Sequence, residues 1–340
     1  MKITRPTIIS LLLLAVAVLL SVAVGSVAIR PDALFSLLGG WITGRPVPAE
    51  QQPLATILFS LRLPRTVLMG LIGAALGGSG CAYQGLFRNP LADPYLIGVA
   101  SGAGLGAMAA MSVRWPYTQL GLLAVPLAAF AGAILTVVVV YQLARVGRTL
   151  PTTNLILAGV TASSFATALT SFLMLSSSGE VRRALVWLLG GATLSGWQPV
   201  VALLPYVLPG LGLLVVMGHS LNVLQFGDEQ AGQLGLPAER VRRIIVAAAS
   251  LTTAAAVSFA GIIGFVGLIV PHIVRMLCGP DYRRLLPLSI LNGAVLLLAA
   301  DVLARVVLAP QEIPVGIITA LAGAPFFLFI LRRVKQQHLW

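Results

Sequence analysis

Residues 8–29 run for 22 positions without a charged side chain. A hydrocarbon core about 30 Å thick takes roughly 20 apolar residues of helix to cross, so this stretch alone is long enough to span a bilayer. Lys2 and Arg5 precede it, as basic residues precede a secretory signal. The apolar part of such a signal is only about 7–15 residues long, and the length here favours a retained first span. The rest of the chain follows suit. Of its 340 residues 58% are apolar and 9% charged, against about 25% charged in an ordinary soluble domain. So few charges cannot wet a soluble surface of this size and also leave long uncharged runs. A soluble enzyme, a disordered chain and a nucleic-acid-binding domain are excluded. The net charge of +12 is therefore read as a topology signal and not as a footprint for DNA. Two cysteines, Cys81 and Cys278, exclude a disulfide scaffold and a cysteine-based metal site. The expected fold is an all-α polytopic membrane protein, one transmembrane domain over residues 1–340.

Hydropathy, turn residues and charge divide the chain into ten transmembrane helices, at about 8–29, 66–87, 95–112, 118–142, 154–176, 199–218, 243–260, 262–276, 285–308 and 313–331. A short helix at 181–190, with Arg182 and Arg183 at its start, cannot span. The longest polar connections are 30–65 and 219–243. With the N-terminus inside, 14 Lys and Arg fall on the cytoplasmic side and 8 outside, which puts both termini in the cytoplasm. The eight outer arginines are Arg30, Arg45, Arg62, Arg65, Arg114, Arg182, Arg183 and Arg305.

Glycine is dense inside the spans, as at Gly70, Gly73, Gly77, Gly78 and Gly80. Small residues let helix backbones pack closely in lipid, where no hydrophobic force draws helices together. Segments 95–112 and 262–276 are short and glycine-rich, and each is third in its half of the chain (spans one to five at 8–176, six to ten at 199–331). Interrupted segments at matching places in two halves point to a transport pathway.

Membrane-depth carboxylates and histidines that would couple transport to an ion are nearly missing from the sequence. Asp301 is the exception, and Arg305 four residues on makes an i,i+4 pair its simplest partner. The sequence has no phosphate-binding G-x-x-x-x-G-K-[ST] loop. A pump built on this chain needs ATP hydrolysis from a partner, and the loop at 222–240 suits a docking role. Asp228 and Glu229 lead a short helix there, which Gly235 and Pro237 end.

Several strings resemble the permease subunits of type II ABC importers, the family that takes up cobalamin, ferric siderophores and haem. They include Arg62-Leu-Pro-Arg65, Asn89-Pro-Leu-Ala-Asp-Pro-Tyr-Leu-Ile-Gly98, Leu157-Ala-Gly159, Trp187-Leu-Leu-Gly-Gly191, Gln233-Leu-Gly235, the run from Gly261 to Arg275, Ala300-Asp301, Glu312-Ile-Pro-Val-Gly316 and Gly323-Ala-Pro325. The likeness covers about residues 8–333. It implies ten spans per subunit, and a homodimer or close pair with the pathway on the dimer axis. It also implies two ATP-binding cassette subunits, a periplasmic or lipid-anchored substrate-binding protein, and the bacterial inner membrane as location. This chain would then be no enzyme and hold no cofactor, with ATP and Mg bound by the partner subunits. Membrane lipid is a partner and nucleic acid is not.

By the same resemblance Arg62, Arg65 and Arg305 receive acidic residues of the binding protein, as exposed arginine forks can. Thr152 and Thr153 form a cytoplasmic gate; an N-cap for the fifth span is their other reading. Asp228, Glu229, Gln233 and Gly235 contact the ATPase. Gly98, Ser101, Gly102, Ser163, Thr167, Ser171 and Met174 line the pathway. Family breadth ranks a ferric siderophore first as cargo, then cobalamin and haem. Three other readings stand beside this one. Gly77-Gly-Ser79-Gly80 suggests an intramembrane serine protease, which needs a histidine at the same depth as Ser79. An ATP-independent secondary carrier needs coupling carboxylates. An exporter needs no outer arginines.

Overall fold

The computed structural model describes residues 5–25, 29–44, 47–113, 115–116, 118–147, 149–176, 181–192 and 194–337. Lys2, Arg45, Arg114 and Arg148 of the charge count lie outside these residues. Among the described residues there is no β-strand, only an isolated bridge between Val146 and Thr149. The helices are α1 (Arg5–Ala23), α2 (Pro31–Thr43), α3 (Gln52–Thr56), α4 (Leu63–Leu86), α5 (Val99–Met111), α6 (Gln119–Ala144), α7 (Thr152–Ser176), α8 (Val181–Leu188), α9 (Gln198–Val216), α10 (Gly218–Leu224), α11 (Asp228–Gln233), α12 (Ala238–Ala260), α13 (Val266–Cys278), α14 (Tyr282–Val306) and α15 (Val315–Gln337). Among the described residues seven helical stretches are long and apolar enough to cross a bilayer: α1, Ala49–Leu86, Gly121–Ala144, α7, α9, α12 and α14. The three shorter apolar helices, α5, α13 and Val315–Phe329, fall on the third, eighth and tenth expected segments.

Two expectations change. The first segment ends at Ala23, six residues early, where Arg62 and Arg305 take up the last carbonyls of the helix. The connection 30–65 is largely helical. In α2, Leu34 and Leu37 turn inward and bury against Val22, Ile29 and Leu58. The chain then runs into α4 through a wide π-helical turn at Ile57–Arg62. Pro64 explains that turn: it has no N–H for the carbonyl four residues back, and its ring crowds that carbonyl.

Glycine sets the spacing of the core. α4 packs along α14, where a side chain on Gly73 would collide with the Gly293 backbone. Farther down α4, Gly80 meets the Gly267 backbone of α13 in the same way. α12 sits deepest, against α4, α5, α6 and α9, with 78% of its central window buried. The outward faces stay apolar. α1 exposes Ile9, Leu12, Val16 and Leu19, a surface suited to lipid.

The two short segments have irregular entries. A 3₁₀ turn at Pro94–Ile97 leads into α5, and the non-helical stretch 261–265 leads into α13. These entries touch: Tyr95 donates its hydroxyl to the Ile263 carbonyl at 2.8 Å. Gln84 of α4 donates to the Leu268 carbonyl at 3.2 Å. Tyr95 thus serves a carbonyl in the break before α13, and Gln84 also reaches the Gly267 carbonyl at 3.4 Å, which Pro271 leaves without its helical donor.

Candidate functional site

Three regions of the bundle gather the expected site residues. The first lies where α4 begins and α14 ends. α1 stops there with its last carbonyls unpaired, as every helix does. Arg62 donates through Nη1 to the carbonyls of Val22 and Ala23, both at 3.0 Å. Arg305 donates to the carbonyls of Ser21 and Val24, also at 3.0 Å. Two guanidinium groups therefore cap the negative end of the α1 dipole. Both residues are buried. None of the three is an exposed fork: Arg65 is the most open, its side chain 21% exposed, and even that one is engaged. Its Nε and Nη2 reach Asp301 at 3.0 and 2.9 Å, and its Nη1 reaches Glu312 at 2.7 Å. Asp301 is fully buried and also lies 3.1 Å from Arg305 Nε, so the expected i,i+4 pair is present.

Arg65 and Glu312 border a cavity of about 730 Å³ whose wall includes Arg182, Arg183, Trp187 and Gly191. Arg182 and Arg183 belong to the surplus of outer arginines and stand outside the docking set that the resemblance implies.

At the opposite end, α10, α11 and the start of α12 form a knob. Asp228 opens α11 and Gly235 ends it with φ +79°. The Gly235 N–H bonds the Gly232 carbonyl, and the Leu236 N–H bonds the Ala231 carbonyl. That paired C-terminal closure needs a left-handed residue, so Gly235 serves conformation first. Glu229, Gln233 and Gly235 are exposed. Asp228 is half exposed, yet both its oxygens accept from Arg242 Nη2 at 2.7 and 2.8 Å. Phe226 and Leu234, 66% and 67% exposed, add apolar surface to the same knob. Large apolar side chains on a polar connection mark an interaction surface, and the sequence reading passed over both. Nearby, Asn222 donates to Asp281 at 2.6 Å, and Asp281 also accepts from Arg283 at the start of α14. The Arg283 fork, then Asn222, hold the Asp281 carboxyl well below the usual range.

Thr152 and Thr153 occupy the first turn of α7, with Thr152 half-buried and Thr153 exposed. They are inside the helix, so neither is its cap. The Leu155 N–H bonds the Pro151 carbonyl instead.

The pathway residues separate. Ser163, Thr167 and Ser171 line one groove of about 680 Å³ with Asp93, Tyr95 and Leu96. Gly98 and Gly102 do not line it: both are buried, and Thr136 of α6 fills the space a side chain would take. Gly98 also has φ +84°. Ser101 bonds back to the Gly98 carbonyl at 3.1 Å, and Met174 packs on the main core. Ser79 is fully buried in α4 and donates to the Ala75 carbonyl at 2.7 Å. A hydroxyl spent on its own helix, with no base among its partners, is not a nucleophile.

The FecCD transport family matches residues 13–333. The cobalamin import system permease protein BtuC of Halobacterium salinarum is 48% identical over 283 residues, 83% of this chain and 75% of that one. The Fe(3+)-citrate import system permease protein YfmE of Bacillus subtilis is 36% identical over 331 residues, 96% of each chain. A solved inward-facing transporter, described as of metal-chelate type and ABC class, superposes with a TM-score of 0.81. It is 29% identical and covers 96% of this chain and 98% of its own.

Proposed function

The chain belongs to the FecCD transport family, and we propose that its cargo is a bulky metal chelate, with cobalamin first among the candidates. It is a multi-pass membrane protein and the permease subunit of an ABC importer, in which separate ATPase subunits hydrolyse ATP. The observation that carries the cargo is the 48% identity to a cobalamin import permease over most of the chain, against 36% and 41% for two iron-citrate relatives. This reverses the order that family breadth alone suggested.

The remaining assignments rest on placement. Both termini face the cytoplasm, as the Lys and Arg bias favours. The Arg65 end then faces out and meets a binding protein. A carboxylate of that protein reaches Arg65, while Arg62 and Arg305 hold the end of α1 beneath it. The α10–α11 knob seats on one of two ATP-binding cassette subunits, which carry the ATP and Mg. A second, identical permease copy completes the pathway across α7, whose central window is only 28% buried. Ser163, Thr167 and Ser171 give that pathway a weakly polar wall, and Thr152 and Thr153 narrow its cytoplasmic mouth.

The test uses the permease purified with its ATPases in lipid nanodiscs. ATP hydrolysis is followed while the cognate binding protein is added, loaded with cobalamin, haem or a ferric siderophore. Acceleration by the cobalamin-loaded form, with uptake of cobalamin into proteoliposomes, supports the proposal. Acceleration by another load alone replaces the cargo. No acceleration by any load overturns the reading.

A further inference from the structure

Arg242 has an environment that neither topology nor helix pairing explains. A cytoplasmic arginine that only obeys the charge bias sits in water or among headgroups. Arg242 is buried at the start of α12, with a side chain 4% exposed. Its guanidinium joins three pieces of chain. Nη2 holds both oxygens of Asp228, the first residue of α11. Nη1 holds Glu239 Oε1 at 2.6 Å and the Leu150 carbonyl at 3.2 Å. Glu239 Oε1 in turn accepts from the Leu150 N–H at 3.3 Å. Leu150, itself buried, is clasped by both its backbone groups, two residues before Thr152.

We infer that Arg242 is a positioning residue, the strut that carries displacement of the coupling knob to the gate at the start of α7. The inference rests on the knob and gate roles proposed above and adds the physical link between them. Asp228 sits on the knob side and Leu150 on the gate side. No covalent path shorter than 78 residues joins them, and the guanidinium spans the gap in one side chain. Arginine suits the task because its planar fork offers five donors at fixed angles. Nη2 serves Asp228 while Nη1 serves Glu239 and Leu150; a lysine has one nitrogen and cannot stand in both places. Burial makes the arrangement all-or-none, because a carboxylate that leaves abandons a desolvated cation. When a partner ATPase pulls on α11, the strut moves Leu150 and turns the first residues of α7 with it.

The test is made on the complete importer, permease with ATPases and binding protein, in proteoliposomes. Thr153→Cys reports the gate through maleimide labelling from the cytoplasmic side. Cys278 is partly exposed and is replaced by serine, while Cys81 is buried. Labelling is compared between nucleotide-free and vanadate-trapped complexes, and cargo moved per ATP is measured on the same preparation. With Arg242 intact, labelling changes with the nucleotide state. In Arg242→Met that change is lost, and cargo moved per ATP falls about tenfold or more, within the range of an ordinary coupling between sites. Should the methionine variant fail to assemble, Arg242→Lys is read in its place with the same expected loss. A variant that keeps both the labelling change and the transport ratio overturns the strut while the gate reading stands. Labelling that ignores nucleotide even with Arg242 intact overturns the gate assignment, and the strut with it.

Discussion

Arg65 is shared by two carboxylates that differ in burial, and the difference gives a sharp prediction. Asp301 is 0% exposed and Glu312 45% exposed, at 2.9 and 2.7 Å from the same guanidinium. By distance alone Glu312 is the better partner. Desolvation reverses the order. Asp301→Ala strips the counter-charge from Arg305, which is buried, and half-empties the Arg65 fork. Breaking a buried pair from one side costs about 3–5 kcal/mol, because a desolvated charge is left behind. Glu312→Ala removes a pair open to water, worth about 0.2–1 kcal/mol. At roughly 2 °C per kcal/mol for a large domain, Asp301→Ala lowers the melting midpoint by about 6–10 °C and Glu312→Ala by no more than ~2 °C. The assay is survival of the monodisperse peak in fluorescence-detected size exclusion after heating, at one protein concentration and one detergent. Equal shifts in the two variants, or an Asp301→Ala protein that melts with the parent, refute the argument that burial decides here.

Three further outcomes are expected. Glu312→Gln releases one branch of the Arg65 fork and strengthens binding-protein docking, whereas Arg65→Glu weakens it by about tenfold or more; surface plasmon resonance on nanodiscs reads both. Phe226→Ser with Leu234→Ser removes the apolar surface of the knob, so the permease still folds but co-purifies with less ATPase in a pull-down. Gly80→Val drives a side chain into the Gly267 backbone, and expression as a monodisperse species falls below one-tenth of the parent, since overpacking costs about 1–3 kcal/mol even where neighbours can yield.

What could be read from the sequence was mostly local. The apolar helices (seven long enough to span among the described residues, and three shorter), the Asp301–Arg305 pair four residues apart and the short helix opened by Asp228 all depend on neighbours within a turn or two, and all are present. The close approach of Gly73 and Gly80 was legible as a class of contact, though not which partner each would meet. Long-range contacts escaped. An arginine at a span end looks the same whether it snorkels to headgroups or caps another helix. Arg62 does the second, for carbonyls 40 and 39 residues away. Of the partners of Arg242 only Glu239, three residues back, lies within a turn; Asp228 is 14 residues off and Leu150 92 off, so the sequence shows an ordinary inside charge. Gly98 and Gly102 were read as lining for want of knowing that Thr136 packs over them. The helix in 30–65 was missed because one apolar face over 13 residues is a weak signal beside full spans.

The deep seat of α12 bears on how the chain is made. It is less apolar than lipid-facing α1, and Ser250, Thr252, Thr253 and Ser258 are buried in it. On its own it offers the insertion machinery a weak signal. Yet α4, α5, α6 and α9, which wrap it, are all earlier in the chain. Its socket is therefore synthesised before it leaves the ribosome. The order of the chain thus doubles as an assembly order, in which the most guarded helix enters last among those that guard it.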